Sequence, residues 1–300
     1  MRVSTVQLQR IVMSGMEQGA SSFSHISQQQ ASGKRIIKPS DDPLGTVKLM
    51  ALQAEQANLK QFNTNIENAR RHLSGAETYV SSISDQLGKL RDLTLEAGNG
   101  TLTPAGRKAI AQEMEAVKES LLASSNAKGS NGKYLFSGSE VEKSPIAGPD
   151  PVTGDYTYAG DNRERKITIA SGVKVVSNID VEGTFFDGGK DFFKDLDGYI
   201  EKLNTDSQVP ADRKVMLAAI DSSTDTNLQL LTTIGTRLSE IIQTKDTNAD
   251  ISLYGKKLQL SLEQLDYGTA SFELAQAELA LKTTQMVYVK ASKLSLFNVM

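Results

Sequence analysis

The run of apolar residues from Leu59 to Leu90 constrains this chain more than any other feature. Leu59, Phe62, Ile66, Ala69, Leu73, Ala76, Val80, Ile83, Leu87 and Leu90 follow one another in alternating steps of three and four. This is a heptad seam, and a strict seven-residue repeat implies a left-handed supercoil. The positions between are largely polar, so the helix buries one narrow stripe. Upstream, Pro39-Ser40-Asp41-Asp42-Pro43 supplies a start, with Asp42 as cap and Pro43 at the first helical position. Gly98-Asn99-Gly100 supplies the stop. The pattern predicts a helix over 43–98, roughly 80 Å long at ~1.5 Å per residue.

A second helix is expected from Thr103-Pro104, with Ile110, Met114, Val117, Leu121 and Leu122 on its buried face. The short connection folds it back antiparallel on the first. From 133 to 190 the character changes. Loops such as Gly148-Pro149-Asp150-Pro151 and Asp187-Gly188-Gly189 separate short β-branched or alternating runs: Tyr134-Leu135-Phe136, Tyr156-Thr157-Tyr158, Ile167-Thr168-Ile169 and Val173-Lys174-Val175-Val176. These read as strands. Helix resumes with Phe192, Phe193, Leu196, Ile200 and Leu203. Beyond Pro210, Leu228, Leu231, Ile234, Leu238 and Ile241 form another seam. From Ile251 every seventh residue is apolar, through Leu258, Leu265, Phe272, Leu279 and Met286, and Gly268 is expected to mark a bend or break. The first 32 residues carry only a thin stripe, Val6, Met13, Met16, Ala20, Phe23 and Ile26, among Ser and Gln. A helix this weakly apolar needs partners, and its natural partner is 268–298.

The predicted fold is therefore mainly α with a small β-rich insertion. Long N- and C-terminal helices pack together as an elongated helical bundle or coiled-coil rod, with the β module at its tip. Residues 1–40 and 268–300 would be terminal assembly helices, 41–132 and 191–267 the helical rod, and 133–190 the inserted β domain. The candidate assembly interface is Val6, Met13, Met16, Phe23, Phe272, Leu279, Met286 and Val289. The candidate rod seam comprises Leu59, Phe62, Ile66, Leu73, Val80, Ile83, Leu87, Leu90, Leu231, Leu238 and Ile241.

Composition argues against chemistry. Aromatics are 6 % with no Trp, whereas compact enzyme cores lean on large aromatic side chains. The absence of Cys excludes disulfides, thiolate metal sites and a Cys nucleophile. Net charge is −3 with no basic tract, so nucleic acid is not an expected partner. No apolar stretch resembles a secretory signal or approaches the ~18 residues of a membrane span. His25 and His72 are too few for a zinc or catalytic cluster, and His72 is expected on an exposed face between seam positions. Gly33-Lys34 and Gly132-Lys133 lack the rest of a phosphate loop. Asp195-x-Asp197-Gly198 and Asp187-Gly188-Gly189-x-Asp191 lack the spacing of a calcium loop. Tyr156, Tyr158 and Phe185-Phe186 read as the core of the β module. No enzyme activity, cofactor, metal or small-molecule substrate is expected.

Ala31-Ser32-Gly33-Lys34-Arg35-Ile36-Ile37-Lys38-Pro39-Ser40-Asp41-Asp42-Pro43 resembles the segment between the two N-terminal helices of the bacterial flagellin family, which shows a Ser-Gly-x-x-Ile pattern and then an Asp-Asp pair. Ile234-Gly235-Thr236-Arg237 and Glu263-Gln264-Leu265-Asp266-Tyr267 are similar to the family's Gly-x-Arg and acidic-Asp-Tyr stretches. The motif residues carried over are Gly33, Ile36, Pro39, Asp41, Asp42, Arg237, Asp266 and Tyr267. The 34–43 segment, Asn131-Gly132-Lys133-Tyr134-Leu135-Phe136-Ser137-Gly138, Tyr156-Thr157-Tyr158-Ala159-Gly160-Asp161 and Leu294-Ser295-Leu296-Phe297-Asn298 look more like the junction members of the family than like flagellin itself. The resemblance implies a structural subunit exported by the flagellar type III apparatus, assembling outside the cell through its terminal helices. Its implied partners are hook-associated protein 1, flagellin, copies of itself in a ring, and a cytoplasmic export chaperone. The alternative is a short flagellin that forms the filament. In either case the terminal helices can stay disordered until they assemble.

Overall fold

The computed structural model describes residues 5–207 and 210–297. Seven α-helices are present in it: α1 Thr5–Ser32, α2 Pro43–Ala97, α3 Pro104–Ser125, α4 Glu182–Phe185, α5 Phe192–Asn204, α6 Pro210–Glu263 and α7 Tyr267–Phe297. Between α3 and α4 lie β1 Ile146–Ala147, β2 Thr157–Tyr158, β3 Lys166–Ala170 and β4 Val173–Val176. The chain is mainly helical with a small β insertion. Among the described residues no helix is long and apolar enough to cross a membrane.

The chain forms two compact units. One comprises residues 1–58 with 250–300, the other 59–249. Helices α2 and α6 each contribute residues to both.

In the larger unit, α2 supplies the spine of the core. Leu59, Ile66, Ala69, Leu73, Ala76, Val80, Ile83, Leu87 and Leu90 are buried, most of them completely, and Phe62 is half-buried. Helix α3 is capped by Thr103, whose side chain accepts from the Gly106 N–H at 3.1 Å, with Pro104 at the first position. It buries Ile110, Met114, Val117 and Leu121. Helix α5 is capped by Asp191, which accepts from the Lys194 N–H at 3.0 Å, and buries Phe192, Phe193, Leu196, Ile200 and Leu203.

On α6 the buried stripe differs from the apolar seam read from sequence. Met216, Ile220, Ser223, Asn227, Ile234, Ile241 and Asn248 are buried, Leu231 and Leu238 are half-buried, and Leu228 is exposed. Asn227 takes the place in the stripe that apolarity alone assigns to its neighbour. Its Nδ2 donates to the Val80 carbonyl at 2.9 Å and to Ser84 Oγ at 2.7 Å on α2. One turn of polar pairing in an apolar seam fixes register, because sliding α6 would strand a buried amide.

The β segment has two antiparallel pairs. Ile146 pairs with Tyr158 and Ala147 with Thr157, and β3 pairs with β4 from Lys166↔Val176 to Ala170↔Val173. The 133–190 stretch shares one core with the surrounding helices. Phe193 contacts Tyr156, Phe185, Phe186 and Phe192 with ring centroids 4.9–6.4 Å apart. Asn65 on α2 and Asn248 on α6 donate to the Thr168 and Ile169 carbonyls at 2.8 and 2.9 Å. Tyr134-Leu135-Phe136 is not a strand. The Tyr134 and Leu135 amides go to the Val141 and Ala127 carbonyls, and Tyr134 forms only an isolated antiparallel bridge with Lys128. His72 also departs from expectation. It is half-buried and its Nδ1 is buried without a hydrogen-bond partner.

Phe193→Ala is expected to destabilise this unit by about 3–5 kcal/mol, the usual loss for an aromatic core truncation. Asn227→Ala should cost about 1–2 kcal/mol through loss of its two hydrogen bonds to α2. Urea unfolding monitored by circular dichroism checks both, and an unchanged midpoint for Asn227→Ala would rule out its registering role.

Candidate assembly interface

The smaller unit is organised by two helix breaks that lie side by side. Helix α1 ends at Gly33, whose φ of +68° is left-handed and whose N–H closes on the Gln29 carbonyl at 2.8 Å. A Cβ at Gly33 would lie 3.0 Å from Tyr267 Oη. Both the backbone and the neighbour therefore call for glycine. The second break is the 264–266 interval between α6 and α7, three residues before Gly268, which lies inside the first turn of α7. The two breaks are tied together. Lys34 and Gln264 form an antiparallel bridge. Around it, the Arg35 N–H donates to the Glu263 carbonyl at 2.7 Å and the Leu265 N–H to the Gly33 carbonyl at 3.2 Å. Lys34 Nζ adds an ion pair to Glu263 at 3.3 Å.

The adjacent aspartates divide their work. Asp41 Oδ2 accepts from the Ile37 and Lys38 amides at 3.0 and 2.8 Å, closing the turn after Ile36. His25 Nε2 lies 3.6 Å from its other oxygen. Asp42 caps α2 by accepting from the Gly45 N–H at 2.8 Å and pairs with Arg35 at 2.9 Å. The Lys38 amide does most to hold Asp41 below the usual carboxylate range, and the Gly45 amide then Arg35 do so for Asp42. Ile36 is buried and Pro39 is exposed. Gly45, unnoticed in the sequence, is buried with no room for a side chain: a Cβ would meet Asp42 Oδ2 at 2.5 Å and Ile36 Cδ1 at 2.8 Å. Asp266 caps α7 through the Gly268 N–H at 2.9 Å and the Thr269 hydroxyl at 2.9 Å. The hydroxyl is the main cause of its lowered pKa. Tyr267 is exposed.

Helices α1 and α7 pack against each other. On α7 the least exposed residues are Ala270, Leu274, Ala277, Leu281 and Thr284, again in steps of four and three. On α1 they include Val12, Gly15, Met16, Gly19, Phe23 and Ile26. Cβ atoms at Gly15 and Gly19 would sit 3.7 Å from Thr284 Cγ2 and 3.6 Å from Leu281 Cδ1, so small residues let the two helices approach closely. The row of larger apolar residues lies elsewhere. Phe272 is 71 %, Leu279 66 % and Met286 59 % exposed, and Met13 and Val289 are exposed too. Val6 falls outside the residues whose side chains are described, as does the 294–298 stretch. Leu44, Val47 and Met50 on α2 and Leu253, Tyr254 and Leu260 on α6 extend this unit's exposed apolar surface.

Arg237 belongs to the larger unit. Its guanidinium donates to the Asn178 carbonyl at 3.0 Å, and burial lowers its pKa. It is a bracket between α6 and the segment after β4.

Residues 3–141 match the model of the bacterial flagellin N-terminal helical region. A flagellar hook-associated protein 3 of Salmonella typhimurium is 26 % identical over 318 residues, spanning 99 % of both chains. A protein of Vibrio parahaemolyticus assigned to the flagellar hook-associated proteins superposes with a TM-score of 0.68 at 29 % identity, covering 74 % of this chain and 99 % of that one. The flagellar junction protein FlgL of Legionella pneumophila shares the fold, with a TM-score of 0.60 at 17 % identity over 72 % of this chain and 99 % of that one. In this chain the Gly33-to-Asp42 segment and Asp266 cap helices and turn the backbone.

The three lowered aspartates set a pH dependence. Each binds a proton less readily when folded than when unfolded. Their contribution is complete above the ordinary value of 3.8 and is lost as pH falls below it through the depressed values. Amide protection factors in α1 and the first turns of α2 and α7, corrected for the intrinsic pH dependence of exchange, should fall below about pH 4. Gly33→Ala should raise α1 exchange at neutral pH, with a cost of about 1–2 kcal/mol for the left-handed residue. Exchange unchanged from the parent would show that this turn does not hold α1.

Proposed function

We propose that this chain is the structural subunit that joins the flagellar hook to the filament, sitting on hook-associated protein 1 and presenting a surface to flagellin. It works outside the cell as part of the flagellum and assembles with copies of itself in a ring. A cytoplasmic chaperone holds the C-terminal helix before export. The observation that carries this reading is the row Phe272, Leu279 and Met286 on α7, exposed while a second stripe of the same helix packs on α1. Large apolar side chains repeated at one face of a long helix cost solvation unless another helix covers them, and about 25 cal/mol is gained per Å² so covered. The terminal helices are the assembly region, 41–132 with 191–267 the rod, and 133–190 an insertion whose core is shared with the rod.

Two measurements test this. Deleting the gene should leave bare hooks and flagellin accumulating in the medium. Loss of the major flagellin band would instead make the chain a short flagellin, and normal filaments would refute both. Leu279→Asp with Met286→Asp should leave thermal unfolding of the larger unit within about 0.5 kcal/mol of the parent while complementation fails. Filaments formed by that variant would exclude the α7 row as the interface.

A further inference from the structure

The larger unit holds a cleft that the assembly reading does not use. It has a volume of about 550 Å³ and is bordered by α2, the turn after α3, and β3 with the segment following β4. That volume lies within the range of small-ligand sites. Arg71 and His72 come from α2, Lys128, Ser130 and Asn131 from the turn, and Arg165 from the residue before β3. No carboxylate lines it.

Cations of this unit fall into two groups, those paired with a carboxylate and those, such as Arg213 and Arg237, that meet neutral oxygens. Arg91, Arg107, Lys118, Lys194, Lys202 and Lys245 each meet an aspartate or glutamate. The three cations of the cleft have neutral contacts. Arg71 donates to Asn68 Oδ1, Arg165 Nε donates to Ser177 Oγ at 3.2 Å, and Lys128 lies 4.6 Å from the Tyr134 ring centroid. Among the described residues none of the three forms an ion pair with a carboxylate. His72 also lines the cleft, although its Nδ1 is itself buried. Burial, and then the Arg165 charge, push its pKa down. Three cations, a hydroxyl, an amide and an imidazole around one polar cleft are the donor set for an oxyanion, where charge-assisted hydrogen bonds are strong.

We propose that this cleft binds a small dianionic oxyanion of the phosphate class, free or as a monoester. The bound anion neutralises the Arg71, Lys128 and Arg165 cluster beside the His72 ring. The cleft has room beyond the anion itself for a small ester group.

Histidine ring resonances give a direct readout, because the chain has only His72 and His25 and the latter belongs to the other unit. The full chain is titrated at pH 7 with sodium phosphate, with glycerol phosphate, and with sodium chloride at matched ionic strength. The expected result is a saturable shift of the His72 ring signals with phosphate or its ester and none with chloride. Equal affinity for the two points to the free ion, and tighter binding of the ester points to a monoester. Arg165→Gln, and separately Arg71→Gln, should weaken that binding roughly tenfold with the dispersion of core methyl signals unchanged. A His72 response to phosphate no larger than that to chloride, or undiminished binding in both variants, would overturn the site.

Discussion

The larger unit depends on a buried amide in an apolar seam. Leu, Ile, Val and Ala residues of α2 would pack almost equally well against several registers of α6, because dispersion and burial are non-directional. Asn227 removes that freedom by donating to both the Val80 carbonyl and the Ser84 hydroxyl. With the two helices fixed, Asn65 and Asn248 have set positions from which to hold the Thr168 and Ile169 carbonyls of β3. The aromatic cluster around Phe193 then closes the core. Lys118, between Glu115 and Asp197, shows the same economy: its charge is retained near the core because two carboxylates meet it. Tyr156, which donates to Asp197 at 3.0 Å, is pushed up to about 12, first by burial and then by that carboxylate.

What sequence alone could show follows from how each interface is built. The α2 stripe was legible from Leu59 to Leu90 because every position in it is apolar. The α6 stripe was legible only in part, since Ser223, Asn227 and Asn248 occupy it and an apolarity count shifts toward Leu228, which is exposed. On α7 the periodicity was visible, but it marks the outward face. The inward face uses Ala270, Ala277 and Thr284, whose small size matters for close approach and leaves little hydrophobic signal. The caps at Thr103 and Asp42 could be read because capping is local, whereas Asp266 is visible only as a motif residue and Gly268 marks the expected break. The Lys34–Gln264 bridge could not, because it joins residues far apart in sequence. Nor could Gly45, whose need for glycine comes from the Asp42 carboxylate and the Ile36 methyl.

The α1–α7 pair also explains why one helix can carry two apolar stripes without contradiction. Small residues bring the backbones of α1 and α7 together and cover little area. Large residues on the other face remain for a contact with more area to bury. The contact with α1 therefore occupies one face of α7 and leaves the Phe272, Leu279 and Met286 face exposed.

The paired helix breaks carry a mechanical consequence. A chain that interrupts one helix gains a swivel. This chain interrupts two at the same level and stitches the interruptions with the Arg35–Glu263 and Gly33–Leu265 backbone bonds. Rotation about either break alone would tear those bonds, so α1 and α7 are geared to move as one lever. Two swivels stitched at one level become a single hinge, with one axis shared by both helices.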